Sequence, residues 1–467
     1  MGLSALAASS TGYGDTAVGD NALHSNTTGY ENTAVGLSAL YYNTAGASNT
    51  ATGWAALLGN TTGYANTAFG DRAQYSNTTG YGNTAAGFTA LNYNTTGANN
   101  TATGYQTLYA NTTGYDNTAN GFSALHFNTT GLNNTATGYQ ALYANTTGSS
   151  NTATGFSALY YNTTGANNTA TGFDAMYSNT TGAYNTASGH DALMSNTTGA
   201  SNTAAGYQAL QSNISGGYNT ADGSEAMHSN TTGHDNTATG FNTLAANNIG
   251  YDNTAYGNFA LTNSQSGNNN IALGYYAGYY VLNSNNIHIG HKGTSTDSGT
   301  MRMGDPTYIA KTFIAGIRSI TTGYNDAVPV LIDSNGQLGT ISSSRRYKED
   351  IQDMRDASSG LMRLRPVTFR YKKSFDDGSK PVQYGLIAEE VAEVYPDLVA
   401  RSADGQIETV KYQVLDSMLL NELQKQNATI ATLKEQIRAQ EQQNRSLEER
   451  LAKVEAALDG TTITASR

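Results

Sequence analysis

The chain has 467 residues, of which about 11% are Gly and 13% carry a charge, against usual fractions of about 7% and 25%. It contains no Cys, which excludes disulfides, thiolate metal sites and cysteine nucleophiles. Through Gly290 it has one basic and eleven acidic residues, which excludes a nucleic-acid surface there, and no apolar run reaches the roughly 18 residues of a membrane helix.

A 17-residue repeat dominates the chain from its beginning. Met1–Ser10 has neither the charged start nor the apolar core of a secretory leader, and Gly2–Leu6 already matches the middle of a repeat unit. We therefore expect the array to open inside a unit. Sixteen units follow without insertion from Asp15 to Asn270, with the pattern N-T-A-x-G-x-x-A-L-x-x-N-T-T-G-x-x. Unit positions are numbered from the first Asn of this pattern.

The fixed positions of the unit predict a β-solenoid. Two short apolar or small stretches per unit, each closed by a Gly turn, predict a coil with two brief strands, stacked on the next coil at about 4.8 Å. Ala and Leu are expected to form a thin interior, and Asn at positions 1 and 12 to stack into ladders. Gly at positions 5 and 15 is expected to supply positive φ at the corners. Sixteen such coils predict a rod of roughly 77 Å.

Other interpretations of the repeat fit the pattern less well. A helical solenoid is disfavoured because 17 residues with two Gly and several Thr cannot hold two helices. Disorder is disfavoured because Leu, Ala and Tyr recur at fixed positions. An ice-binding face is disfavoured because the N-T-T and N-T-A triplets offer no regular outward Thr-x-Thr array. The N-T-T triplets also match the N-glycosylation acceptor pattern, and we interpret them as turn and ladder residues.

The repeat pattern N-x-A-x-G-x-x-A-L resembles the head repeats of trimeric autotransporter adhesins and related phage fibres, over about residues 2–290. Adhesin heads generally use shorter units than this one. The resemblance implies a left-handed β-roll with three chains side by side. Exposed tyrosines at variable positions are candidates for stacking on carbohydrate, although such residues more commonly cover a thin core. The candidates are Tyr105, Tyr207, Tyr275 and Tyr276.

Residues 286–341 are predicted to form a β-rich neck. Three segments alternate apolar residues and break at Gly, namely 286–290, 301–304 and 313–317. Asp333–Gly336 lies between two further apolar runs and predicts a β-hairpin. His288 and His291 are close in sequence, and we expect them to face solvent on a strand rather than to bind a metal.

The segment Ser342–Ile351 holds the residues best suited to chemistry. A serine attacks a carbonyl when a nearby base takes its proton, and lysine is such a base only when its amine is neutral. Burial and neighbouring positive charge both favour the neutral amine, and Arg345 and Arg346 supply charge next to Lys348. The Ser-x-x-Lys spacing of penicillin-binding proteins is absent at this site.

This segment resembles the C-terminal intramolecular chaperone auto-processing domain of phage tail spikes, tail fibres and endosialidases. The signature of that family is Ser-Asp-x-Arg-Leu-Lys-x-Asn-Ile. Ser343, Arg346 and Lys348 match its serine, arginine and lysine. Ser344 and Asp350 replace its aspartate and asparagine, so the roles of those two positions do not carry over.

Further blocks extend the resemblance over about residues 342–458. Tyr384–Val391 followed by Tyr395–Val399 matches a second family block, and Val410–Tyr412 precedes the closing helix as in the family. The resemblance implies a domain that aligns three copies and then removes itself. In that scheme Ser343 attacks the carbonyl of Ser342 with Lys348 as base, and the Ser342–Ser343 bond is cut. From the residues alone, Ser343 or Ser344 equally suits the N-cap of a helix over residues 347–354.

The closing segment predicts a coiled coil. Leu423, Ile430, Ile437, Asn444, Leu451 and Leu458 are seven residues apart, and Gln426, Leu433, Gln440, Leu447 and Val454 form the second seam. Polar residues at Gln426, Gln440 and Asn444 specify register at a cost in stability. The heptads do not decide between two and three strands, and the trimer is implied by the family resemblance.

These patterns together predict a mainly β homotrimer. Its parts are a β-solenoid rod over residues 1–285, a β-rich neck over 286–341, a small α+β chaperone domain over 342–415 and a coiled coil with tail over 416–467. We expect a virion tail fibre or bacterial surface adhesin that binds itself and, as a possible partner, a cell-surface glycan or receptor. It is expected to bind no nucleic acid, membrane, cofactor or metal.

Two alternative functions stay open. The first is a structural adhesin whose C-terminal module forms a trimer and never cuts the chain. The second is a glycan-degrading enzyme, which is disfavoured because the acidic residues of the repeats fall singly, without the paired carboxylates of a glycosidase cleft.

Overall fold

The chain forms two compact units, Met1–Phe313 and Ile314–Arg467, each with its own hydrophobic core. The computed structural model describes residues 2–317, 322–324, 326–402 and 404–462.

The first unit is a parallel β-solenoid. Within the described residues it contains eighteen strands of three residues, and each strand pairs with the one before it and the one after it in the sequence. The strands are β1 (Thr16–Val18), β2 (Thr33–Val35), β3 (Thr50–Thr52), β4 (Thr67–Phe69), β5 (Thr84–Ala86), β6 (Thr101–Thr103), β7 (Thr118–Asn120), β8 (Thr135–Thr137), β9 (Thr152–Thr154), β10 (Thr169–Thr171), β11 (Thr186–Ser188), β12 (Thr203–Ala205), β13 (Thr220–Asp222), β14 (Thr237–Thr239), β15 (Thr254–Tyr256), β16 (Ile271–Leu273), β17 (Ile287–Ile289) and β18 (Met301–Met303).

The strands explain the fixed positions 2 to 4 of the repeat. Thr135 pairs with Thr152 and Ala136 with Ala153, so equivalent residues of neighbouring coils lie directly beside each other. Ala136 is fully buried, whereas the Thr on either side of it points outward. The interior is completed by Ala141 and Leu142, which are also fully buried. The prediction of a mainly β fold with a 17-residue solenoid repeat is confirmed.

Each coil contains one strand, so the prediction of two strands per coil was wrong. The Ala-Leu segment is a series of turns, because the residues at positions 7 and 9 adopt left-handed φ, as in Gln140 (53°) and Leu142 (51°). It still bonds from coil to coil, since the Leu142 N–H donates to the Ala158 carbonyl at 2.9 Å. Stacking therefore satisfies the backbone in both the strand and the turns.

The two fixed glycines are needed for different reasons. Gly138 at position 5 has φ of 135°, as predicted for a corner. Gly148 at position 15 lies outside the left-handed region, so the predicted positive φ was wrong there. A Cβ on Gly148 would lie closer than 3.0 Å to Asn145 Oδ1 and to the carbonyl of Gly165 in the next coil. Position 15 therefore requires Gly because of close approach between coils.

Two buried asparagine ladders run along the solenoid, as predicted. At position 12, Asn145 Nδ2 donates to Asn128 Oδ1 at 2.7 Å and to the Gly148 carbonyl at 2.9 Å. At position 1, Asn134 Oδ1 accepts from both the backbone N–H and the side-chain Nδ2 of Asn151, at 3.0 and 3.2 Å. Each amide thus bonds its copy in the neighbouring coil, and polar groups that would be costly to bury are satisfied.

The outer face of the strands is not a regular Thr array. Outward Thr-x-Thr pairs occur in six of the described strands (β3, β6, β8, β9, β10 and β14), and the expectation that they form no regular array is confirmed. Only β8, β9 and β10 are consecutive, and other coils place Phe69 or Asp222 in the same row. The rows of Thr are therefore interrupted along the solenoid.

A polar cluster that includes the buried side chains of His288 and Asp297 lies at the C-terminal end of the solenoid sheet. β17 and β18 continue the sheet, and His288 and Arg302 take the row that Ala fills in the earlier strands. His288 is fully buried, with Nε2 at 3.0 Å from Asp297 Oδ2, so the prediction that it faces solvent was wrong. His291 is only half-buried. His288 is buried because it is the inward-facing middle residue of β17, in line with the buried Ala of the earlier strands.

Beyond the solenoid, one part of the predicted neck forms a β-hairpin and another forms no strand. β19 (Leu331–Ile332) and β20 (Leu338–Gly339) form the predicted antiparallel hairpin, and Asp333 Oδ1 accepts from the backbone of Asn335 and Gln337 at its turn. Residues 313–317 form no strand, and Ala315–Gly316 lies in a turn there. Large apolar side chains in this part of the chain are exposed. They are Phe313, Ile314, Ile317, Val328, Val330, Ile332, Leu338 and Ile341.

The second unit is a small α+β domain followed by one long helix. Its elements are 3-10 helices at Arg345–Tyr347, Arg355–Arg363 and Pro396–Leu398, the antiparallel pairs β21 (Val367–Phe369) with β22 (Gln383–Gly385) and β23 (Val399–Arg401) with β24 (Ile407–Val410), and helices α1 (Ala388–Val394) and α2 (Tyr412–Thr462). Its core packs α1 and the β23–β24 pair against the first turns of α2. The core residues are Leu361, Val391, Leu398, Val399, Val410, Leu415 and Met418.

Candidate functional site

The predicted serine and lysine lie together in the structure. Ser344 is extended, and a single 3-10 turn at Arg345–Tyr347 then reverses the chain, with the Lys348 N–H donating to the Arg345 carbonyl at 3.1 Å. This turn brings Lys348 Nζ to 3.1 Å from Ser343 Oγ. The five-residue spacing thus places an amine within hydrogen-bond distance of a hydroxyl.

The alternative role of these serines as helix caps is not supported. Ser344 precedes the 3-10 turn but makes no side-chain capping hydrogen bond. No helix follows over residues 347–354, where Asp350 has a left-handed φ of 49°. The predicted N-cap of a helix in this segment was therefore wrong.

Both members of the pair are exposed in the single chain, and so is Ser342 on the other side of the Ser342–Ser343 bond. Of the two neighbouring arginines, Arg346 lies with its guanidinium 4.7 Å from the centre of the Tyr347 ring. Burial and nearby cations are what make a lysine amine able to act as a base. The geometry of the pair is in place, and its surroundings are open to solvent.

The second sequence block, residues 384–391, forms part of the small α+β domain. β22 and α1 carry residues 384–391, and Arg365 forms an ion pair with Glu390 of α1. The Arg365 guanidinium lowers the pKa of the Glu390 carboxyl. The Leu386 N–H donates to the Tyr412 hydroxyl at 3.0 Å, which joins β22 to the start of α2.

A polar cluster that the sequence did not reveal fixes α2 to the small domain. Ser358 is fully buried, its hydroxyl donates to Glu422 at 2.5 Å, and it accepts from Asn421 Nδ2 at 2.6 Å. Asn421 also donates to the Arg355 carbonyl at 2.8 Å, and Lys425 donates to Glu422 at 2.8 Å. Ser358 and Arg355 are more than sixty residues away in sequence from their partners on α2. The sequence pattern gives one hint of this cluster, because Asn421, Glu422 and Lys425 lie outside the two heptad seams.

The apolar residues of the α2 heptad seams are largely exposed among the described residues. Their apolar members are 48–63% exposed, although α2 is a continuous helix of 51 residues. These residues are Leu423, Ile430, Leu433, Ile437, Leu447, Leu451, Val454 and Leu458. Exposed apolar seams of this kind are typical of helices that form coiled coils.

Two of the tyrosines considered for carbohydrate binding, Tyr105 and Tyr207, lie in a row of neighbouring aromatic rings. Eight position-6 rings form one row, with ring centres 4.9–5.6 Å apart. The row, called the position-6 ladder, consists of Phe88, Tyr105, Phe122, Tyr139, Phe156, Phe173, His190 and Tyr207. Tyr275 contacts Tyr276 edge to face at 4.4 Å. The hydrogen bond with Tyr275 raises the pKa of Tyr276.

The described residues also bear on metal binding and on membrane insertion. No three or more His, Asp and Glu side chains gather there in a group fit for a metal ion. Among the helices of the described part of the chain, none combines the length and apolar content required to span a bilayer.

The comparison with protein families gives one match. Residues 343–400 match the family model described as chaperone of endosialidase, and the matched region begins at Ser343. No curated protein and no solved structure matched the chain significantly. The chain thus joins a β-solenoid to a C-terminal segment of the endosialidase-chaperone type.

Proposed function

From the match of residues 343–400 to the chaperone of endosialidase family, we propose that this chain is a trimeric tail fibre of a virion. Its C-terminal domain aligns three copies and then releases itself by cutting the Ser342–Ser343 bond. The observation that carries the proposal is the 3.1 Å distance between Lys348 Nζ and Ser343 Oγ, at the first residue of the family match.

The solenoid creates the need for such a device. Neighbouring coils present the same Thr, Ala and Asn rows to one another, as β8, β9 and β10 illustrate. Copies that met along their solenoids would find nearly equal contacts after a shift by one coil, and loop-closure entropy differs little between such registers. Joining the copies at their C-terminal ends fixes one register before the solenoids associate.

The exposed apolar residues of the second unit support assembly. Residues of the α2 seams such as Leu433 and Leu451 are at least half exposed in the single chain, and so are Val328 and Val330 before the hairpin. Burying a Leu or Val side chain contributes about 1.5–3 kcal/mol, so these seams provide a strong driving force for association. The number of three copies rests on the family resemblance.

Cleavage proceeds as an acyl transfer followed by hydrolysis. Ser343 Oγ attacks the carbonyl carbon of Ser342 while the neutral Lys348 amine takes the hydroxyl proton. The C–N bond breaks, the amide nitrogen of Ser343 gains a proton, and an ester joins the Ser342 carbonyl to Ser343 Oγ. Water then hydrolyses the ester, leaving a carboxylate on Ser342 and restoring the Ser343 hydroxyl.

Assembly is what activates the pair. In the single chain Ser343 and Lys348 are exposed, and a lysine becomes a base only when burial or nearby cations favour its neutral form. Arg345 and Arg346 provide nearby cations, and partner copies provide the burial. Cleavage therefore follows alignment, and once the aligning domain has left, separated solenoids cannot recover their register.

Gel electrophoresis of the expressed full chain tests the proposal. We expect two fragments, residues 1–342 and 343–467, and a single intact band for Ser343→Ala and for Lys348→Ala. Ser344→Ala is the matched control, because its serine is adjacent while the hydrogen bond of the Lys348 amine goes to Ser343, and it should cleave normally. An intact 49.1 kDa band from the assembled unmodified chain would instead support the structural adhesin that never cuts.

A further inference from the structure

The position-6 ladder is an exposed surface made mainly of uncharged aromatic rings. Its seven Phe and Tyr side chains are 40–48% exposed. Taking about 200 Å² per side chain, they expose roughly 600 Å² of aromatic surface, at the upper limit for a soluble monomer. In the same coils, positions 2 and 4 hold only Thr, Ala, Asn or Ser, and the charged neighbours at position 7 are limited to Asp174 and Asp191.

The orientation of the rings indicates what this surface contacts. From Phe88 to Phe173 consecutive rings lie nearly parallel, with interplanar angles of 6–9°. Each inner ring, such as Tyr105, therefore has both faces covered by its neighbours and presents its edge outward. A sugar ring packs on an aromatic face, so the ladder offers no such platform along its length. Outward ring edges instead suit packing against another protein surface.

We infer that the position-6 ladder is covered by a second copy of this chain. The inference rests on the proposed function, in which cleavage at Ser342–Ser343 removes α2 and its heptad seams. Released fibres must then be held together by residues 1–342 alone. Contacts restricted to the segment near the cut would leave the solenoids free to separate along their length, whereas this band runs through eight consecutive coils.

A second row of stacked rings, at position 10, provides the second contact surface that each copy needs in a closed trimer. In a three-fold assembly each copy contacts its two neighbours through two different surfaces. Position-10 rings stack at 4.9–5.2 Å in coils that the first ladder also occupies, and their positions 10 and 11 hold no charged residue. This row consists of Tyr109, His126, Tyr143, Tyr160 and Tyr177. The position-6 ladder of one copy packs against it on the next copy.

Thiol labelling of the full chain tests the inference, because the protein has no cysteine of its own. Thr137→Cys places a thiol beside the position-6 ladder, and Thr147→Cys places one on another face of the same coil. Both side chains are exposed in the single chain. In the assembled protein we expect a maleimide to label Thr137→Cys roughly tenfold more slowly than Thr147→Cys, because an interface core excludes reagent.

The outcomes separate this inference from the proposed function. Light scattering on the same samples gives the number of copies. A trimer in which the two thiols react equally fast overturns the inference and leaves the trimer standing, whereas a monomer overturns both. As a second variant, Phe156→Lys should dissociate the cleaved solenoids while Thr147→Lys leaves them associated. Equal association of the two lysine variants would also overturn the inference.

Discussion

The solenoid and the C-terminal unit differ in how fully a single chain buries their apolar side chains and provides hydrogen bonds to their polar ones. In the solenoid Leu142 is fully buried and Asn145 bonds to its copies in the coils before and after it. In α2, Leu433 is 50% exposed although it occupies a heptad seam. The repetitive region completes its interior within one chain but carries no information about register. Under the proposed function, the exposed seams of the C-terminal unit bind partner copies and align them.

Replacing a position-15 glycine should have the largest effect on the solenoid. Gly148→Ala puts a Cβ against Asn145 Oδ1 and the Gly165 carbonyl, and overpacking of this kind costs about 3 kcal/mol. Hydrogen exchange should show loss of protection in the two coils around Gly148. Gly339→Ala is the matched control, because a Cβ there meets nothing within 4 Å. Equal protection in both variants would show that the close approach between coils is not required.

Breaking one rung of the position-12 ladder should have a somewhat smaller effect. Asn145→Ala removes the donor to Asn128 Oδ1 and the acceptor for Asn162 Nδ2, which should cost about 2 kcal/mol in local stability. Hydrogen exchange of the adjacent coils measures it. Thr147→Ala in the same turn is exposed and should leave protection unchanged. If the two variants behave alike, the ladder contributes no stability.

The buried cluster at the end of the solenoid should make that end sensitive to acid. The Arg302 guanidinium, with smaller contributions from His288 and Thr294, holds the pKa of Asp297 well below its usual range. Because the folded-state pKa is below the unfolded one, this stabilisation is full above about pH 4 and is lost as the pH falls further. Protection of β17 and β18 should decline in acid. In Asp297→Asn it should be lower near neutrality and nearly independent of pH, and an unchanged decline would contradict this role.

Replacing the single Gln in the leucine row should stabilise the solenoid slightly. Gln74 is fully buried, and its Oε1 has no hydrogen-bond partner among the described residues. Leu57 and Leu91 occupy the same row in the neighbouring coils. Gln74→Leu should therefore gain about 1 kcal/mol, seen as slower hydrogen exchange in the coils around it. Leu91→Gln is the reciprocal variant and should lose protection. A loss in both variants would show that the hydrogen bonds from Gln74 Nε2 to the Thr67 and Asn83 carbonyls, at 3.0 and 3.2 Å, matter more than its unpaired oxygen.

The solenoid could be predicted in its repeat and ladders but not in its local backbone. Fixed Ala and Asn positions translate directly into an interior and stacked amides, because each coil repeats the environment of the last. The second strand was predicted wrongly because nothing in Gln140 or Leu142 signals left-handed φ. Bonds between coils impose that conformation. For the same reason Gly148 was assigned positive φ, when contact with the next coil decides its identity.

The candidate site depended on local spacing and a family signature, so its core could be proposed from sequence. Five residues between Ser343 and Lys348 fit one turn, and the structure places the two side chains within hydrogen-bond distance. The contacts of Ser358 with Asn421 and Glu422 could not be foreseen, since partners so far apart meet only through the tertiary fold. His288 was mispredicted because its strand joins the solenoid and places it in the interior row.

The central claim is that identical coils cannot choose their own register and that the C-terminal unit chooses it for them. The most direct test compares the full chain with residues 1–342 made alone, by light scattering and electron microscopy. We predict uniform, aligned trimers from the full chain, and monomers or mixtures of shifted assemblies from residues 1–342. Uniform, aligned trimers formed by residues 1–342 without the C-terminal unit would contradict the claim.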